Sequence, residues 1–215
     1  MPRISASSYI FTLAILLVTM LFVRPAQSQL LDYGVKGGVN FSSITETDNS
    51  DMLTGFHFGG FVNIRPPLSP ISIQPEVLYT RLGTNFEIIP SPGVNDLEPD
   101  VIEETLTIDY LQIPVLLNYY LPLPGPLGPK LFAGPYVGFK MDSEYDSEIN
   151  DIDLTDQLND LDFGLVFGAG TDISLLLATV HVEARFMLGL ESVYTEDFDN
   201  DERNRAIMLS AGIAF

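Results

Sequence analysis

The stretch AIMLSAGIAF, residues 206–215, most constrains what this chain can fold into. One parity reads Ile207, Leu209, Ala211, Ile213 and Phe215. The other reads Ala206, Met208, Ser210, Gly212 and Ala214. Side chains alternate between the two faces of a strand, so this is a strand with one greasy face and one face of mostly small groups. It runs through to an aromatic ring at position 215, where most soluble chains fray into a polar tail.

The same period recurs along the chain and predicts eight strands, near residues 32–42, 54–65, 70–81, 105–120, 130–140, 162–173, 176–190 and 206–215. In the fourth, Leu106, Ile108 and Tyr110 share one parity, and Ile113, Val115, Leu117 and Tyr119 share the other. That slip predicts a bulge at Pro114, which has no N–H to give to a ladder. No later segment shows a convincing helical period, although DLTDQLNDL has the pattern of a short helical turn.

The connections alternate between long and short. Residues 43–53, 82–104, 141–161 and 193–204 are long and hold 22 of the 29 acidic residues. Residues 66–69, 121–129 and 174–175 are short and hold none. With eight up-and-down strands, every long acidic connection falls at one end and both termini fall at the other.

Two barrels fit this pattern: a soluble one with its apolar parity inside, and an inverted one with that parity facing lipid. The polar parity carries Lys36, Asn40, His57, Asn63, Gln74, Glu76, His181, Glu183 and Arg185, interleaved with glycines. Outside a soluble barrel those glycines weaken strands for no gain. Inside a narrow barrel they make room for long charged side chains. On the apolar parity, Tyr33, Tyr119 and Phe215 stand at the short-turn end. Phe41, Phe56, Tyr79, Tyr110, Phe139 and Phe163 stand toward the other end, with aliphatic residues between. Aromatic girdles flanking an aliphatic band are the pattern of a membrane barrel. The expected fold is therefore all-β: an eight-stranded antiparallel up-and-down transmembrane β-barrel with four long extracellular loops.

The leader agrees with export. Arg3 precedes the apolar run YIFTLAILLVTMLFV, and AQS follows with small residues at the −3 and −1 positions. The run is short for a spanning helix, which needs roughly 20 residues. Residues 1–28 read as a cleaved signal peptide and residues 29–215 as one outer-membrane barrel domain. Arg3 and Arg24 leave with the leader, so eight basic residues face 29 acidic ones and the mature balance is −21. That charge excludes nucleic acid as a partner. The chain has no cysteine, and therefore no disulfide or thiolate chemistry.

Eight strands enclose an interior that side chains fill, which argues against a diffusion pore. Lys36, Glu76, Glu183 and Arg185 are expected to pair as a buried ion network that plugs the lumen, with a proton or ion path as the sharper alternative. The two histidines lie on the inward parity and no G-x-S-x-G elbow is present, so no enzyme is expected. DFDND opens like a calcium loop, but Glu202 and Met208 stand where an EF-hand needs glycine and glutamate. No cofactor is expected beyond weak Ca²⁺ or Mg²⁺ binding by Asp142, Glu144, Asp146, Asp197, Asp199 and Asp201. Such ions would bridge the loops to lipopolysaccharide phosphates.

The segments QPEVLYTRLG, YLQIPVLLNYY, FAGPYVGF, FGLVFGAG and VEARFMLGL, together with the terminal Phe215, resemble the PorT-like family of small outer-membrane β-barrels. The resemblance spans nearly all of the mature chain. It implies the outer membrane of a Gram-negative-type cell and leaves the activity unassigned; with periplasmic termini, the expected role is structural, interactive or part of an envelope machine. Narrow conductance or secretion is the alternative. The acidic loops are not part of the family pattern. The terminal aromatic also resembles the sorting signal read by the barrel-assembly machinery. Outer-membrane lipid and lipopolysaccharide are the remaining expected partners.

Overall fold

The pairing of the closing strand decides the architecture. The structure, a computed structural model, describes residues 31–44, 50–88, 102–146, 158–193 and 203–215. Its strands are β1 (Leu31–Ile44), β2 (Ser50–Ile64), β3 (Ile71–Ile88), β4 (Ile102–Tyr120), β5 (Leu127–Asp146), β6 (Leu161–Ser174), β7 (Thr179–Gly189) and β8 (Asn204–Ala214). Each is antiparallel to its neighbours in sequence, and β8 returns to β1 to close the barrel. Phe215 extends the closure. Its N–H donates to the Tyr33 carbonyl at 2.9 Å, and its carbonyl accepts from the Tyr33 N–H at 3.5 Å.

Following paired residues once around, from Thr179 through Ala214, Gly34, Phe61, Glu76, Pro114, Tyr136 and Gly164, returns to β7 at Gly189, ten residues along the strand. Strands in such a staggered barrel tilt, and eight of them leave an interior just wide enough for side chains.

Alternation sorts the residues as the period requires. Val35, Val39, Phe56, Phe58, Ile73, Val77, Leu117, Leu131, Phe163, Leu165, Phe167, Ile207 and Leu209 are exposed on the outside. Lys36, Asn40, His57, Gln74, Glu76, Glu183 and Arg185 are buried on the inside. A belt of exposed hydrocarbon around a charged interior is the inverse of a soluble barrel and requires an apolar solvent. Two inward glycines show why the small parity matters. A Cβ on Gly38 would stand 2.8 Å from the His57 ring, and one on Gly168 would stand 2.7 Å from the Phe132 ring.

At the upper edge of the belt, Phe56, Phe58 and Tyr79 form an aromatic patch with ring centroids 5.3–6.2 Å apart. Arg81 lies 5.7 Å from the Phe56 ring and makes two 2.8 Å bonds to the Asp109 carboxylate. A paired cation above an aromatic patch marks an interface between hydrocarbon and water.

Three sequence expectations need correction. First, β4 has no slip at Pro114. Leu106, Ile108, Tyr110, Gln112, Leu116, Asn118 and Tyr120 all face inward, so Tyr110 leaves the outer girdle and joins the lumen. The irregularity lies on β5: Asp109 pairs with Asp142 and Tyr110 with Lys140, which makes Met141 the extra residue. A second register shift separates Met52 from His57 in the pairing of β2 with β3. Second, the strands continue past the apolar belt into segments expected to be loops. Period-2 hydropathy fades there because the outer face beyond the belt takes polar residues and the inner face takes polar Thr84 as well as apolar Leu82. Third, β6 and β7 are joined by residues 175–178, not 174–175. The helical turn read in DLTDQLNDL lies mostly outside the described residues; Leu158 within it forms an extended bridge.

Leu209→Arg places a cation on the lipid side of mid-β8 and is expected to lower stability by about 2–4 kcal/mol. Met52→Arg, above the belt, is expected to cost about 0–1 kcal/mol. Urea unfolding in lipid vesicles compares the two. Deleting Phe215 removes both closing bonds to Tyr33, and the expected result is less heat-modifiable folded barrel with a larger periplasmic pool.

Candidate functional site

The lumen holds the strongest concentration of charge among the described residues. Alternation on β1, β3, β5, β6 and β7 aims Lys36, Glu76, Lys130, Asp172, Glu183 and Arg185 at one another. Arg185 grips Glu76 in a fork, Nη1 to Oε2 at 2.7 Å and Nη2 to Oε1 at 2.8 Å. It also bonds Glu183 through Nε at 3.1 Å and through Nη2. Lys36 bridges the same two carboxylates, donating to Glu76 at 2.7 Å and to Glu183 at 3.0 Å. Lys130 Nζ lies 3.0 Å from Glu183 Oε1 and 2.9 Å from Asp172 Oδ1, and His181 Nδ1 lies 2.7 Å from that same Asp172 oxygen.

Three cations thus meet three carboxylates, and each cation touches two of them. Removing charge from water is expensive, and only close pairing with added hydrogen bonds offsets it. The added bonds are present. Gln74 donates to Glu76 at 2.6 Å, Tyr120 donates to Asp172 at 3.0 Å, and Asn118 donates to Gln74 and Ser72. Aromatic faces complete the wall: Lys36 sits 4.6 Å from the Phe61 ring centroid and Arg185 5.5 Å from that of Phe132.

The structure therefore gathers Lys36, Glu76, Glu183 and Arg185 into one cluster. It adds Lys130 and Asp172, which the sequence reading left out. Both stand near strand ends at the turn side, where few alternations remain to fix parity. The outward Leu131 beside Lys130 was the available signal.

Above the charges the lumen turns apolar. Leu82, Leu106, Ile108, Tyr110, Phe132, Tyr136, Val166, Met187 and Met208 form one buried cluster. Leu158 and Val193, from the connections after β5 and β7, join it from above. Asn159 ties those connections together, with its N–H on the Val193 carbonyl and its Nδ2 on the Ser192 carbonyl, both at 2.9 Å. Lys140 donates to the Leu158 carbonyl at 2.9 Å. This upper half was not expected to be largely apolar; within it one buried carboxylate, Asp162, accepts from the Tyr136 hydroxyl and from Asn204 Nδ2, both at 3.1 Å.

Between the two layers, His57 lies 2.7 Å from Ser210 Oγ through Nε2 and 2.8 Å from Asn40 Oδ1 through Nδ1. These residue types also build hydroxyl–imidazole relays in hydrolases. Here all three are buried, with Gly38 packed against the imidazole ring, and the trio locks the ring between strands.

Three of the six acidic candidates lie within the described residues. Asp142 and Glu144 are exposed on β5 opposite Asp109 and Thr107 of β4, and Asp146 ends that strand. Asp197, Asp199 and Asp201 lie outside the described residues. Among the described residues, no group of three or more His, Asp or Glu side chains is arranged to hold a metal ion.

Several solved structures align with most of this chain. Neisserial surface protein A aligns with a TM-score of 0.52 at 16% identity, covering 86% of this chain and 95% of that one. The outer membrane protein OprG from Pseudomonas aeruginosa aligns with a TM-score of 0.45 at 14% identity, over 86% and 95% of the two chains. E. coli Outer Membrane Protein W gives 0.38 at 15% identity, over 88% and 100%. At these identities the likeness to surface protein A shows the fold alone. No curated protein sequence matches the chain. Residues 26–195 match the model of the family described as "Outer membrane protein beta-barrel domain", and the chain belongs to that family of outer-membrane β-barrels.

Proposed function

We propose that this outer-membrane barrel is a closed structural and surface-interaction protein, neither a pore nor an enzyme. One observation carries the reading: the lumen is filled by buried side chains, first a charge-balanced ion cluster and then a largely apolar layer, with Asp162 held by Tyr136 and Asn204, beneath Leu158 and Val193. An ion entering it must displace partners that are already mutually satisfied. In this reading the short-turn end and both termini face the periplasm, and the acidic connections face outward. Exposed carboxylates such as Asp142 and Glu144 there support a surface that takes up Ca²⁺ or Mg²⁺ weakly and bridges to lipopolysaccharide phosphates. The second reading is a PorT-like subunit of a secretion machine; the QPEVLYTRLG and YLQIPVLLNYY segments carry the resemblance to that family, and no motif in the chain carries the secretion role itself.

Planar-bilayer recording tests closure. The expected trace shows no unitary conductance steps at neutral pH; stable steps from the unaltered protein would favour transport instead. Arg185→Leu leaves Glu76 and Glu183 sharing only the two lysines, one negative charge in excess. It is expected to cost about 3–5 kcal/mol in urea unfolding. Adding Glu183→Gln to that variant restores charge balance, and part of the loss is expected to return.

A further inference from the structure

The rim of the short-turn end is made of leucine. The turns at residues 66–70, 121–126 and 175–178 carry no charged residue. Leu68 and Leu176 are exposed at 106% and 103%, Leu177 at 82% and Leu123 at 61%. The charges at this end are drawn into the mouth of the lumen instead. Lys130 and Asp172 are buried, and the Arg65 guanidinium sits 4.5 Å from the ring of the inward-facing Tyr120. This is the reverse of a rim built for water.

The backbone carries a second sign. Leu68 has φ 63°, the left-handed region that a turn normally gives to glycine or asparagine. It is the single non-glycine residue with positive φ among the described residues. A fully exposed apolar side chain held there at a conformational cost points to a contact outside the protein.

The geometry of the belt identifies what that is. Outward apolar residues continue to the ends of the strands, at Leu31, Ile64, Ile71, Tyr119, Leu127 and Phe215. No polar stem separates the belt from the turns. The first turn leaves the belt at Ile64 and re-enters it at Ile71, too short a span to carry its tip far beyond an interfacial layer roughly 5–7 Å thick on each face. The leucine rim is thus continuous with the surface that already contacts lipid.

We infer that the three turns form a lipid-embedded collar. Leu68, Leu123, Leu176 and Leu177 sit in the boundary between headgroups and acyl chains of the phospholipid leaflet at the short-turn end. The charged mouth opens to water inside that ring. The collar fixes the depth of the barrel from below, as the girdle of Tyr33, Tyr119 and Phe215 does one layer higher.

The chain contains no tryptophan, so single tryptophans report position without background. Leu123→Trp and Leu176→Trp are compared with Glu144→Trp, an exposed site beyond the belt at the opposite end. Each is refolded into nanodiscs of phosphatidylethanolamine and phosphatidylglycerol, plain or brominated on the acyl chains; both faces of a nanodisc stay open to added acrylamide. The expected result is blue-shifted emission at 123 and 176, loss of most fluorescence in brominated discs, and several-fold weaker acrylamide quenching than at 144. Equal acrylamide quenching at all three sites, with no effect of bromine, overturns the collar and leaves the rim as a surface for a soluble protein. Heat-modifiable mobility confirms folding of each variant, and Leu177→Trp replaces Leu176→Trp if the latter fails to fold.

Discussion

Every backbone N–H in hydrocarbon must find a partner within the protein, and the rest of this molecule follows from that one demand. An open sheet fails it at two edges. Here β8 pairs with β1 along eleven successive residue pairs, and Phe215 adds the bonds to Tyr33 that carry the closure to the end of the strand. Closure in turn fixes the stagger, the stagger fixes the width, and the width determines what the interior holds. In a barrel of this bore, each long side chain has to be matched by a small one across from it. The contacts of Gly38 with His57 and of Gly168 with Phe132 are that matching, seen at two places.

Width also explains why the lumen is divided. Six charged side chains crowd together because each cation has two carboxylates within reach there, and an added unpaired charge would have none. Toward the long-connection end the chain changes strategy and fills the bore with Leu82, Leu106, Ile108, Met187 and Met208. Apolar filling needs no partner and tolerates small shifts, which suits the end where two connections fold in. Ion pairs demand geometry, which suits the end where short turns hold the strands in place.

The outer face was almost wholly legible in the sequence, because there one physical rule acts alone: what faces lipid is apolar. The polar residues in the middle of β1, β2, β3 and β7 were legible for the same reason. What failed was the apolar half of the lumen. Leu106, Ile108 and Tyr110 look like a lipid face, and only burial among other strands shows that they point inward. Once greasy residues occupy both sides of the wall, hydropathy no longer identifies the side. Proline did not mark the bulge, for a related reason. Pro114 lacks a donor, yet it pairs with Tyr136 in regular register, and the true bulge at Met141 has no proline to mark it. Lys130 and Asp172 were missed because parity at a strand end has few neighbours to confirm it.

The two ends of the barrel therefore solve opposite problems with the same chain. At the long-connection end the strands outrun the belt, and Lys140, Asp160 and Asn159 work in water to hold Leu158 and Val193 over the apolar plug. A charged group such as the exposed Asp160 can lie outside there because the belt stops short of it. At the short-turn end the belt runs out to the last strand residues, and polar groups have nowhere to go but inward, where Lys130, Asp172 and Tyr120 form the floor of the ion cluster. The position of the belt along the strands thus dictates where each end places its charge. A shift of even one pair of residues toward either end would leave charged groups in lipid or leucines in water.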